Sequence, residues 1–271
     1  MTYILCAGDS FTDKNYHEPW QPGKLTVSPE YPRWPELLAE AMGYDEAVNL
    51  GVMGIGNDAI CQKVIDFLAG ADDNPYAVVV LLSEAPRINI LDHTVMPYVD
   101  IRSFIGAGEI NLWEELPDDK RHYIGWMQGN VSHQYRYGLD RYSIAQYVNK
   151  LSDGGKKYIE STMRSLYILS QVCSANNVPL YIKQGISLDF INASSDITGL
   201  LPKSMSDLSN EVTSSPFYSK IVNDPNTFID PYFFKRTVLA NLGSDMRDYT
   251  NHPNAKGHQF ISDTFIEFMN K

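Results

Sequence analysis

The sequence predicts a three-layer α/β/α sandwich around a mostly parallel sheet of about five strands. Short apolar runs alternate with amphipathic helical stretches along the chain, the pattern of βαβ units. The strongest run, Tyr76-Ala77-Val78-Val79-Val80-Leu81-Leu82, is apolar at every position, as a strand covered by helices on both faces should be. Polar and glycine-rich segments follow the strands on their carboxyl side, where sheets of this kind bind ligands.

The elements follow in order. Tyr3-Ile4-Leu5-Cys6-Ala7 reads as the first strand and runs into Gly8-Asp9-Ser10. A polar, aromatic loop extends to about Tyr31, and Trp34 to Met42 carries apolar residues at helical spacing until Gly43 stops it. Ala47-Val48-Asn49-Leu50 is a second short strand, feeding a loop with Gly51, Gly54 and Gly56; Ala59 to Leu68 is helical. After the third strand, residues 156–176 show helical periodicity, Val178 to Lys183 a fourth strand, Phe228-Ile229-Asp230 a weak fifth, and 254–270 a closing amphipathic helix. Two stretches lack clean periodicity, about 88–155 and 187–226, and read as insertions: lids, substrate-binding elements or partner surfaces. The first is rich in aromatic residues, among them Trp113, Trp126, Tyr135 and Tyr137; these suit a small core of their own or a stacking platform for sugars.

The chain has 271 residues, the size of one α/β domain spanning 1–271. With 22 basic and 33 acidic residues its net charge is -11, which argues against nucleic acid or an anionic membrane as partner. No stretch approaches the ~20 apolar residues of a membrane span, and the first residues read as a strand and not as a signal peptide. Cys6, Cys61 and Cys173 fall in predicted strand and helices and read as small buried hydrophobes. A reducing, cytoplasmic setting is the expectation, and a virus-encoded origin would suit it as well. His17, His93, His122 and His133 have no ligand-like spacing with Cys, Asp or Glu, so no metal and no cofactor is expected.

The chemistry lies at the two ends. Ser10 follows the first strand, and Asp248-Tyr249-Thr250-Asn251-His252-Pro253 precedes the last helix. A serine hydroxyl, an imidazole and a carboxylate are the parts of a nucleophile, its general base and the base's orienter. The bland readings are a simple turn for Gly-Asp-Ser, with Asp9 as its turn residue, and a structural histidine at each of His252 and His258. Gly51, Gly54 and Gly56 are in the wrong order for a dinucleotide loop and instead suit close backbone approach.

Gly8-Asp9-Ser10, then Asn49-Leu50-Gly51 with Gly54, then His252 followed by Pro253, Ala255, Gly257 and His258 resemble the blocks of the SGNH (GDSL-type) hydrolase superfamily. Trp34-Pro35-Glu36-Leu37-Leu38 also resembles the matching segment. The resemblance implies a flavodoxin-like sandwich and activity as an esterase, lipase, thioesterase or carbohydrate deacetylase. It implies Ser10 as nucleophile and His252 as base, with the N–H groups of Ser10 and of Gly51 or Gly54 as oxyanion donors. The chain departs from the family twice. The third block places Leu82-Ser83-Glu84-Ala85-Pro86-Arg87 where the family carries an oxyanion-donating asparagine, leaving Ser83, Asn57 or Arg87 as substitutes. The family aspartate lies three residues before the histidine, where Tyr249 stands here; Asp248 is the chosen orienter, with Asp245 further off.

The leading expectation is therefore a serine esterase releasing an O-acyl group, O-acetyl among the candidates, from a small molecule or glycan, without a cofactor. The alternatives are a binding or structural protein on the same fold, and an acyltransferase to a sugar acceptor; oligomeric state is left open.

Overall fold

The structure, a computed structural model, describes residues 2–14, 31–52, 55–83, 156–186, 205–230, 237–248 and 252–271. Five strands form one parallel sheet: β1 (Tyr3–Gly8), β2 (Glu46–Asn49), β3 (Ala77–Leu82), β4 (Leu180–Gln184) and β5 (Thr227–Ile229), in the order β2-β1-β3-β4-β5. The predicted sandwich of about five parallel strands is what the chain forms, with strand limits within a residue or two of expectation. The register aligns Leu5 with Val78 and Val80 with Ile182, and every residue of β3 is buried, because the apolar run has helices on both sides.

One helical layer is α1 (Trp34–Met42) with the closing helix α7 (Ala255–Met269); the other is α2 (Asn57–Gly70) with α3 (Lys156–Ala175). The alternation of side chains along each strand divides the core accordingly. Leu5, Val78, Val80 and Ile182 pack with Ile60, Val64, Leu166 and Leu169 on one face. Ile4, Cys6 and Val79 pack with Trp34, Leu38, Ile261 and Phe265 on the other. Trp34 stacks on Phe265 with ring centroids 4.9 Å apart, joining α1 to α7. All three cysteines are buried and unpaired, and burial raises their thiol pKa values, that of Cys173 to about 12, so each stays protonated and inert.

The second expected insertion, 187–226, is described from 205 onward, and that part is helical where the sequence reads as irregular. It holds α4 (Met205–Ser214) and the short α5 (Tyr218–Val222), which pack on α3 through Val212, Phe217 and Ile221. These helices are short and rich in serine, so their apolar period is too diluted to read from sequence. The 88–155 insertion, with its aromatic residues, lies outside the described residues. A helical turn, α6 (Val238–Asn241), and a 3-10 turn (Ser244–Met246) lead toward α7.

The chain leaves β1 toward β2 on one side and later adds β3 on the other, so the strand order reverses between β1 and β3. In open α/β sheets the crevice beyond the carboxyl ends of the strands at such a reversal is the ligand site. The described helices include none long and apolar enough to cross a membrane.

Candidate active site

β1 ends at Gly8, and Asp9 to Asp13 close one helical turn: the carbonyl of Asp9 accepts from the N–H groups of Thr12 (2.9 Å) and Asp13 (3.0 Å). The Asp9 carboxylate caps that turn, its Oδ1 accepting from the Phe11 N–H at 3.0 Å. Ser10 is thereby held at the reversal point of the sheet, largely buried, and its N–H meets no acceptor among the described residues.

From the far end of the chain, His252 comes to meet it. His252 Nε2 lies 2.9 Å from Ser10 Oγ across 242 residues of sequence, within reach for proton transfer. Phe11 packs edge-on against the imidazole at 5.4 Å between centroids. The loop bearing His252 is an antiparallel bridge between Arg247 and Pro253, inside which the His252 N–H donates to Asp248 Oδ1 (3.0 Å) and the Asp248 N–H to the His252 carbonyl (2.8 Å). Asn254 then caps α7, its Oδ1 accepting from the N–H groups of Lys256 and Gly257.

The remaining sequence-nominated residues are placed as follows. The Gly51 N–H donates to Asn49 Oδ1 at 2.9 Å, and Asn49 Nδ2 donates to the Thr12 carbonyl at 2.8 Å, so this block straps the turn that carries Ser10. A Cβ on Gly51 would lie 2.5 Å from Thr12 C and Asp13 N, which is why the close approach requires glycine. Asn57 Nδ2 donates to the Ser83 carbonyl at 3.1 Å and its Oδ1 accepts from the Ser83 N–H at 2.8 Å, a two-point clamp on the chain leaving β3. The Ser83 hydroxyl donates to Asp9 Oδ2 at 2.8 Å. Gly54, Glu84, Arg87 and Tyr249 lie outside the described residues, as do His17, His93, His122 and His133. Among the described residues, no three His, Cys, Asp or Glu side chains are grouped to hold a metal ion.

Two sets of contacts escape a reading of the sequence, those of Gln184 and those of His258, which reads only as a structural histidine. Gln184 at the end of β4 donates through Nε2 to the carbonyls of Ser83 (2.6 Å) and Ile186 (2.7 Å), a third hold on the β3 exit. Behind the His252 loop, His258 of α7 has Nε2 3.1 Å from Arg33 Nη1 and Nδ1 3.3 Å from the Trp34 nitrogen, and its one lone pair can accept from only one of these two donors. Burial pushes the His258 pKa down to about 3, with the nearby charges of Arg33 and then His252 adding to the shift. No local motif announces the contacts with Ser83, Arg33 and Trp34, since these partners lie on distant elements.

Gly257 sits where α7 meets the loop that carries His252. A Cβ there would lie 2.3 Å from the Met246 carbonyl and 2.9 Å from Pro253 Cβ, both relatively fixed groups. Gly257→Ala is expected to lower stability by about 1–3 kcal/mol. Urea unfolding measures that loss, and displacement of the His252 loop is expected to show as a fall in serine reactivity larger than the unfolded fraction accounts for.

No family model and no curated protein matches the chain. Solved structures do. TesA is 12% identical with a TM-score of 0.48, covering 99% of this chain and 98% of that one. A variant of an acetyl-xylooligosaccharide esterase from Geobacillus stearothermophilus is 13% identical with a TM-score of 0.47, over 100% and 94%. A member of the lipolytic G-D-S-L family from Veillonella parvula is 13% identical with a TM-score of 0.45, covering both chains fully. The chain resembles these proteins in general architecture; at such scores the likeness adds nothing about what it does. Its own geometry defines a parallel α/β protein with a serine–histidine pair at the sheet's reversal point.

Proposed function

We propose that the chain is a divergent SGNH-type serine esterase that hydrolyses an O-acyl ester of a small molecule or glycan. The observation that carries this reading is the 2.9 Å approach of Ser10 Oγ to His252 Nε2 at the crevice between β1 and β3. Ser10 Oγ attacks the ester carbonyl as its proton passes to His252 Nε2, forming the C–O bond of a tetrahedral intermediate. The oxyanion accepts from the Ser10 N–H and, by the sequence pattern, from Gly54, since the Gly51 N–H is committed to Asn49. His252 returns the proton to the departing alcohol, then deprotonates a water that attacks the acyl-enzyme and releases the acid. For Nε2 to accept, the ring proton must sit on Nδ1, and Asp248 is the proposed group that orients it.

A specific observation favours a second reading, a weak or inactive binding protein: neither Ser83 nor Asn57 is poised as the missing donor, for the Ser83 proton goes to Asp9 and the Asn57 amide clamps Ser83. Loss of one oxyanion donor costs roughly 10²–10³ in rate, which slows an esterase without abolishing it. Intact-mass measurement after incubation with a fluorophosphonate decides between the readings. A single adduct, absent from Ser10→Ala and His252→Ala, is the expected result. No adduct on folded protein would sink the esterase. Adding sugar alcohols to an active preparation with an aryl acetate tests acyl transfer, whose signature is acetylated acceptor in place of acetate.

A further inference from the structure

The third block of the site is rebuilt around a carboxylate. Asp9 is 2% exposed, a costly place for a charge unless hydrogen bonds satisfy it. Oδ1 accepts from the Phe11 N–H and Oδ2 from the Ser83 hydroxyl. Ser83 is fully buried and its main chain is fixed at both polar groups: Asn57 Oδ1 holds its N–H, and Asn57 Nδ2 with Gln184 Nε2 holds its carbonyl. With its backbone clamped from α2 and β4, its hydroxyl has a set aim, across the β1/β3 reversal to the residue before the nucleophile. Phe11, whose N–H the same carboxylate caps, is also the ring against which His252 packs.

We propose that Ser83 and Asp9 form a positioning pair: the Ser83 hydroxyl fixes the Asp9 carboxylate, which fixes the Phe11 amide, and so sets Ser10 Oγ in line with His252 Nε2. The Ser83 proton is spent on this alignment and not on the oxyanion. Tolerances in such alignments are tight, and a displacement of about 1 Å costs on the order of 10²-fold in rate. The inference deepens the esterase reading and rests on it for its kinetic arm, but not for its structural arm.

The test compares wild type with Ser83→Ala, Asp9→Asn, Asp9→Ala and the Asp9→Ala/Ser83→Ala double variant, using 4-nitrophenyl acetate turnover, fluorophosphonate labelling and amide exchange at Phe11. Ser83→Ala is expected to lower kcat by about 10–100-fold with KM within about twofold. Asp9→Asn is expected to retain most activity, because its Oδ1 still accepts from Phe11 and its Nδ2 can donate to the Ser83 oxygen. The double variant is expected to be no slower than Asp9→Ala, since without the carboxylate Ser83 has nothing to position. Losses that multiply in the double variant, or Ser83→Ala at wild-type rate, would overturn the proposal in favour of an independent or absent role. Should Ser83→Ala fail to fold, the near-isosteric Ser83→Cys, a poor donor, replaces it with the same expectations. If wild type neither turns over nor labels, the esterase reading fails by itself; Phe11 exchange in the serine variant then decides the pair, at least tenfold faster supporting it and an unchanged rate refuting it.

Discussion

His252→Ala is expected to slow aryl-ester hydrolysis by about 10⁴–10⁶-fold while leaving the unfolding free energy within ~1 kcal/mol of wild type. The size follows from serine chemistry. Near neutral pH a serine hydroxyl is not a useful nucleophile unless its proton leaves as the carbonyl is attacked, and His252 Nε2 is the basic atom 2.9 Å from Ser10 Oγ. The small stability cost follows from placement: the imidazole is partly exposed and its ring contact is with the edge of Phe11. Asp248 should behave differently. Its Oδ1 holds the His252 N–H inside the Arg247–Pro253 bridge, so Asp248→Ala is expected to reduce both stability and rate. Asp248→Asn keeps an oxygen for that N–H and removes only the charge. A loss of about 10²–10⁴ in kcat for the asparagine variant at wild-type stability would assign Asp248 as orienter of the base; wild-type kcat would hand that role to another acceptor.

The second large effect is on stability against acid. In the unfolded chain His258 titrates near its ordinary value of 6.5, whereas in the fold it is held down to about 3. The folded state therefore refuses a proton that the unfolded state accepts, and stability falls as pH drops below about 6.5 until the folded pKa is reached. At 1.36 kcal/mol per pH unit, moving from pH 7 to pH 5 costs about 2 kcal/mol through this group. The geometry gives the reason beyond burial. A neutral imidazole has one lone pair to offer Arg33 Nη1 or the Trp34 N–H, and the imidazolium has none, so protonation sets donors against donors at both ring nitrogens. Urea unfolding of wild type and His258→Gln at both pH values checks this: the variant should lose about 2 kcal/mol less over the interval. Equal slopes would remove His258 from the acid response.

What the sequence made legible and what it hid divide by the range of the interaction. The β3 run, the strand-loop-helix succession and the helical period of α7 are local, and they are visible in Ala77 to Leu82 or in Ile261 and Phe265 without any knowledge of the fold. Ser10 and His252 stand in motifs that single them out, so their meeting could be anticipated across the whole chain. Gly51 stands out for its place in a motif, but whether its N–H is open depends on where the Asn49 amide turns, and that is settled in space. Ser83 reads as a substitute oxyanion donor for the same reason; its tie to Asp9 arises because β1 and β3 are neighbours in the sheet, although 74 residues separate the two side chains. His258 reads from its motif as a structural histidine, but its pairing with Arg33 carries no signal, since that contact exists only once α1 and α7 share a face of the sheet.

The 242 residues between Ser10 and His252 also set an order in time. At ~5–20 residues per second, a ribosome that has made Ser10 needs roughly 10 to 50 seconds more to make His252. Until α7 emerges, Trp34 lacks Phe265 and the β1 face carrying Ile4 and Cys6 lacks half its cover. The growing chain thus carries Ser10 without its imidazole partner until the last helix is made, and the step that seals the second core is the same step that delivers His252.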